Sequence, residues 1–152
     1  MERKEFIQLF GMGAAAILAT GCLGGCSGSK DDNPTPAPGT GGGPTGPAGV
    51  DFTLDLTEPA NAALNDPQKG YVYGASNAVI VAKLTDGSYI AVQAPCTHEG
   101  TTIVFEASSS MFRCPNHGSM FTANGTVANG PAARALKKYT VSRTGNTLRV
   151  TG

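Results

Sequence analysis

Apolar positions in this chain fall in short runs separated by turn-forming residues. Val79 to Leu84 and Ser88 to Val92 are β-prone, and between them lies Asp86-Gly87, a dipeptide that tight hairpins prefer because their turn needs positive φ. The same pattern recurs downstream. Thr101 to Phe105 reads as a strand, Met120 to Val127 as a hairpin around Asn124-Gly125, and Tyr139 to Val150 as a hairpin around Gly145-Asn146. Asn61 to Leu64 has room for one helical turn, but no long amphipathic helix and no solenoid-type repeat is present. Short strands at regular spacing predict an antiparallel all-β domain over residues 50–152.

Upstream of that domain the pattern changes twice. Phe6 to Ser29 is uncharged and follows Arg3 and Lys4, the basic start and apolar middle of an export signal. Ser27 to Gly49 is rich in Gly and Pro, with only Ala37 and Ala48 as apolar side chains, so little in it offsets the entropy of ordering. The expected division is an export signal over 1–26, a disordered Gly/Pro-rich tether over 27–49 and a folded domain over 50–152. The surroundings of Cys22 and Cys26 resemble the bacterial lipoprotein box, in which small residues precede a lipidated cysteine; Leu23, three residues before Cys26, favours that site over Cys22. A lipid on either cysteine, followed by a flexible tether, holds a soluble domain at a membrane surface. The alternatives are a retained membrane-spanning helix and a plain cleaved signal peptide. Glu2-Arg3-Lys4-Glu5-Phe6-Ile7 resembles a twin-arginine signal with Lys4 in place of the second arginine. The expected location is therefore outside the cytoplasm, tethered on the periplasmic or outer-membrane side of a bacterial envelope.

Charge narrows the choice of partners. In 152 residues, 11 Lys+Arg balance 11 Asp+Glu, and no basic field exists to hold phosphate backbones, which argues against nucleic acid. Within residues 50–152, Lys69, Lys83, Arg113, Arg134, Lys137, Lys138, Arg143 and Arg149 stand against Asp51, Asp55, Asp66, Asp86, Glu58, Glu99 and Glu106, so the domain is near neutral. The length is too short for a two-domain oxygenase.

The chemistry concentrates in two boxes. Apart from Cys22 and Cys26, the chain has two cysteines and two histidines, arranged as Cys96-Thr97-His98 and Cys114-Pro115-Asn116-His117. Each box offers one thiolate and one imidazole after a predicted strand, so two loops bring four ligands together. The pattern resembles the Rieske family, Cys-x-His followed by Cys-x-x-His. The resemblance implies an antiparallel β-sandwich with a two-loop cluster-binding subdomain and one 2Fe-2S cluster, Cys96 and Cys114 on the buried iron, His98 and His117 on the outer one. Neutral imidazoles in place of two thiolates make such a cluster less negative and raise its potential to about −150 to +300 mV, against about −400 mV for plant-type clusters. Gly118-Ser119 after the second box, Phe121 at a usually aromatic position, and Gly130-Pro131-Ala132 with Leu136 and Tyr139 extend the resemblance to roughly Asp51 to Gly152. By spacing alone, structural zinc and a simple disulfide remain as alternatives.

Departures from the family carry information. Respiratory members have an extra cysteine in each box, forming a disulfide; here those places are Thr101 and Asn116, so backbone hydrogen bonds and packing must hold the loops. They also have leucine after the first ligand histidine, where this chain has Glu99, which argues against quinol. The resemblance implies that Ser119 donates its hydroxyl to a cluster sulfur, while Phe121 replaces a tyrosine donor; an intermediate potential is expected. Ser119 could instead satisfy a turn. Pro131 is expected to stiffen the loop beside the cluster. Lys137 and Lys138 are either a docking patch for an acidic partner or a solvated strand edge. The expected function is one-electron transfer between redox-protein partners, without substrate chemistry of its own. The alternatives are the small subunit of a periplasmic oxidoreductase and a non-redox lipoprotein with structural zinc.

Overall fold

The structure, a computed structural model, describes residues 45–152. The expected export signal over 1–26, with Cys22 and Cys26, and the tether through residue 44 lie outside the described residues. Two antiparallel sheets make up the domain. The larger has six strands in the order β1-β10-β9-β4-β3-β2, from β1 (Asp51–Asp55), β2 (Tyr71–Gly74), β3 (Val79–Lys83), β4 (Tyr89–Gln93), β9 (Lys138–Thr144) and β10 (Thr147–Thr151). The smaller has four strands in sequence order, β5 (Val104–Glu106), β6 (Met111–Arg113), β7 (Met120–Phe121) and β8 (Val127–Asn129). A 3-10 helix spans Pro59–Asn65 and buries Leu64.

The expected hairpins are present. β3 pairs with β4 in the register Val81↔Ala91, β9 with β10 through Thr144↔Thr147, and β7 with β8 through Phe121↔Val127. The expected strand over Thr101 to Phe105 begins later, at Val104, because Ile103 and Thr102 instead pair with the segment leading into the first box.

Strand β3 explains the domain's two-layered interior. Val79, Ile80, Val81 and Ala82 are all fully buried, so this strand is covered on both faces, which is why it reads as an unbroken apolar run rather than an alternating one. Its even positions, Ile80 and Ala82, join Val92, Ala94, Ile103, Phe105, Phe112 and Phe121 in a core between the large sheet and the smaller lobe. Its odd positions, Val79 and Val81, join Ala91, Leu64, Leu148 and Val150 on the other side. Burying Phe112 and Phe121, which face each other across β6 and β7, contributes roughly 1.5–3 kcal/mol each. Cys96 and Cys114 belong to the first core, so that core is also the floor of the candidate site.

The folded region starts before residue 50. The Gly46 N–H donates to Gln93 Oε1 at 2.9 Å, and the Pro47 carbonyl accepts from Tyr139 Oη at 2.9 Å and Lys137 Nζ at 2.7 Å. Residues 45–47, although as Gly/Pro-rich as the rest of the expected tether, are thus tied to β4 and to the start of β9.

Candidate metal centre

The two boxes fold on the same backbone frame. In the first, Cys96 N donates to the Thr101 carbonyl at 2.9 Å and Gly100 N to the Cys96 carbonyl at 2.8 Å. In the second, Cys114 N donates to the Ser119 carbonyl at 2.8 Å and Gly118 N to the Cys114 carbonyl at 3.1 Å. The reversal is made by Gly100 (φ 79°) and Gly118 (φ 73°), left-handed conformations that cost a residue with a Cβ. Both boxes therefore read Cys-x-x-x-Gly-Thr/Ser, a signal available in the sequence beside the ligand spacing.

These frames bring the two expected thiol ligands together and the two expected imidazole ligands together. Cys96 and Cys114 are buried and free of any disulfide. Burial pushes the Cys96 thiol up, and the hydrogen-bonded Cys114 side chain adds to the rise, against backbone N–H donors from His98 and Glu99 that favour the thiolate. The His98 and His117 rings stand edge to face, with centroids 5.0 Å apart and planes at 79°. His98 Nδ1 is buried without a hydrogen-bond partner, alone in this respect among the described side chains. A buried nitrogen without a partner and two free buried thiols, on loops that bring the two thiols together and the two rings together, are a donor set lacking its acceptor, and two thiolates with two imidazoles are the ligands that a mixed 2Fe-2S cluster takes. The residues present fit that group.

Glu99 lies between the rings. One carboxylate oxygen is 3.8 Å from His98 Nε2, the other 3.5 Å from His117 Nδ1 and 3.4 Å from Asn116 Nδ2. A carboxylate beside His98 Nε2 favours the tautomer with its proton there, which leaves the buried Nδ1 as a lone pair. Asn116, whose Nδ2 is also 3.1 Å from His117 Nδ1, links the two loops where respiratory relatives are expected to carry a disulfide.

The surrounding positions separate. Ser119 is fully buried and its Oγ accepts the Ala132 N–H at 3.0 Å, so its own hydrogen is free to point elsewhere. Phe121 packs in the core. Pro131 is exposed, while Ala132 and Leu136 are buried against the same core as the cysteines. Tyr139 belongs to the opposite core and holds Pro47 rather than the loops. Lys137 Nζ donates to the Pro47 carbonyl at 2.7 Å and Lys138 Nζ to Asn124 Oδ1 at 3.2 Å, both uncharged acceptors.

Three supports of the first box had no motif to reveal them. Thr97 Oγ1 donates to the Arg134 carbonyl at 2.6 Å, tying the loop to the 130–136 segment. Tyr73 Oη donates to the Ile103 carbonyl at 2.8 Å. Gln93, buried in the large sheet, accepts from the Gly46 and Lys137 N–H groups and donates to the Pro95 carbonyl at 2.7 Å, next to Cys96.

Comparison with known proteins agrees with this geometry. Residues 54–140 match the model of the Rieske [2Fe-2S] domain. A cytochrome b6-f complex iron-sulfur subunit 2 of Synechocystis sp. (strain ATCC 27184 / PCC 6803 / Kazusa) is 31% identical over 139 residues, 90% of this chain and 76% of that protein. A cytochrome b6-f complex iron-sulfur subunit of Synechococcus sp. (strain JA-3-3Ab) is 40% identical over 58 residues, 38% of this chain and 34% of that protein, so there the likeness spans only about a third of the relative. Among solved structures, the cyanobacterial plasma membrane Rieske protein PetC3 from Synechocystis PCC 6803 superposes with a TM-score of 0.51 at 32% identity, over 60% of this chain and 93% of that one. The chain belongs to the Rieske [2Fe-2S] domain family, and its cofactor is a 2Fe-2S cluster.

Proposed function

We propose that this protein carries single electrons between redox proteins through its 2Fe-2S cluster, with Cys96, Cys114, His98 and His117 as the ligands. The observation that carries this reading is that twin backbone loops each bear one buried free thiol and one imidazole, the two rings in contact and one of them with an orphaned buried nitrogen. When bound, the cluster supplies one-electron redox chemistry at fixed nuclear geometry. The protein's own residues supply the rest. The core of Phe105, Phe112, Phe121 and Ile103 excludes water from the thiolate side, which favours the less charged redox state. The half-exposed His117 ring provides the short path to a partner, its side chain 43% accessible against 30% for His98. The chain's two histidines both stand in this ligand set, which leaves no histidine to hold a second metal for bond chemistry.

The sequence of the leading segment supports a membrane location for this activity. An export signal over 1–26, lipidation at Cys26 or Cys22 and a tether before the docked residues 45–47 hold the domain outside the cytoplasm. That several relatives are iron-sulfur subunits of a cytochrome b6-f complex supports a redox-protein partner, and it equally supports the reading that this chain is the electron-transfer subunit of a larger exported oxidoreductase.

Iron and acid-labile sulfide in the purified full chain test the ligand set. Equal amounts of both, lost in Cys96→Ser, Cys114→Ser, His98→Ala and His117→Ala but kept in Cys22→Ser with Cys26→Ser, are expected; cluster retention in any of the four single variants removes that residue from the set. Fractionation of the Cys22→Ser and Cys26→Ser chains tests the anchor, which predicts release from the membrane in one of them.

A further inference from the structure

We infer that the histidine-bearing tip is a negatively charged docking face, set by Glu99, for a redox protein whose cofactor edge is ringed by Lys or Arg. The inference rests on the electron-transfer reading above and adds the chemistry of the partner. Glu99 is exposed between the two imidazoles through which the proposed electron path leaves, and its side chain is 54% accessible. Among the described residues, the ion-pair contacts of Glu99 are to His98 and His117, and an imidazole that binds a metal through one nitrogen is the neutral form, which does not cancel the carboxylate. Three cations of the domain have partners elsewhere. Arg113 pairs with Glu106, Lys137 with the Pro47 carbonyl and Lys138 with Asn124.

The charge at the tip is then the sum of cluster and carboxylate. Two thiolates, two sulfides and two ferric ions sum to zero, and reduction adds a single negative charge; with Glu99 the tip is negative in both states. Asn116 holds the carboxylate at this place through Oε2. An apolar ligand closing over the tip would strip Glu99 of water with no compensating charge, which is costly. A basic rim instead gains Coulomb energy and a faster encounter, both sensitive to salt.

The test uses two redox-inert paramagnetic probes, hexaamminechromium(III) and tris(oxalato)chromate(III), and reads how strongly each speeds relaxation of the reduced cluster's EPR signal in the holoprotein by progressive power saturation. At low salt the cation is expected to act more strongly than the anion in the native protein. In Glu99→Gln the cation-to-anion ratio should fall at least tenfold, as expected for trivalent ions within about 10 Å of a unit charge in water at low salt. Glu99→Asp should preserve the ratio, Glu58→Gln, an exposed carboxylate at the 3-10 helix, should leave it unchanged, and added salt should bring the native ratio toward one. A cluster signal with a ratio that Glu99→Gln leaves alone, or that Glu58→Gln changes as much, overturns the docking face while leaving electron transfer intact. A native ratio that ignores salt overturns it as well, even if the variants fail to fold. Absence of any signal from the reduced native protein overturns the electron-transfer reading and this inference with it.

Discussion

Replacing Ser119 with alanine separates tuning of the cluster from satisfaction of a turn. Ser119 is fully buried, and its Oγ is the acceptor for the Ala132 N–H at 3.0 Å. With its lone pair engaged there, the hydroxyl hydrogen is available to a cluster sulfur. A hydrogen bond to a charged acceptor is worth about 1.5–3 kcal/mol and to a neutral one about 0.5–1.5, so gaining an electron strengthens such a bond by roughly 1–1.5 kcal/mol. For a one-electron couple about 1.4 kcal/mol corresponds to about 59 mV, so Ser119→Ala should lower the potential by roughly 40–65 mV. Protein-film voltammetry of native and variant holoprotein at one pH measures the difference. The variant also strips the Ala132 N–H of its acceptor, and a lower unfolding midpoint, equivalent to about 1–3 kcal/mol, should accompany the shift. A destabilised variant with an unchanged potential would refute the tuning role and leave Ser119 as a support for the 130–136 segment.

Other consequences follow from the supports around the loops. Gln93→Leu removes the partner of the Gly46 and Lys137 N–H groups and of the Pro95 carbonyl, and should cost about 3 kcal/mol or more, a fall of over ~10 °C in melting temperature; a loss below ~1 kcal/mol would mean that water replaces the side chain. Gly46→Ala places a Cβ 2.5 Å from Tyr139 Oη and 2.6 Å from Gln93 Cβ, so it should free residues 45–47, seen as new protease cleavage there while β1 stays protected. Tyr73 is raised to about 12, chiefly by burial, so its neutral form is favoured in the fold. The stability it confers is complete below about 10, the unfolded value, and is lost as pH rises toward about 12; in Tyr73→Phe denaturation curves the decline over that window should be shallower, with about 1 kcal/mol less stability at neutral pH for the orphaned Ile103 carbonyl.

How much of this was legible in the sequence depended on whether local chemistry or distant packing decided it. The hairpins at Asp86-Gly87, Asn124-Gly125 and Gly145-Asn146 were legible because their turns demand particular residues. The ligand boxes were legible because cysteine and histidine are scarce here and their spacing is distinctive. β1, β2 and β6 carry no comparable punctuation: β1 alternates exposed and half-buried positions along the sheet edge, and the three residues of β6 owe their strand to the partners β5 and β7. Gln93 looks like an ordinary strand-end polar residue, and only the fold shows that residues 46, 95 and 137 meet on its side chain. Glu99 was visible as a departure from the family, but its position between the imidazoles depends on two loops whose cysteines are separated by a pair of strands.

The most direct test of the cluster assignment is an EPR spectrum of the purified full chain, as isolated and after dithionite. A rhombic signal that appears on reduction, with an average g below the free-electron value, is expected from a cluster with two thiolates on one iron and two imidazoles on the other. Silence in both states, with stoichiometric zinc in place of iron, would contradict it.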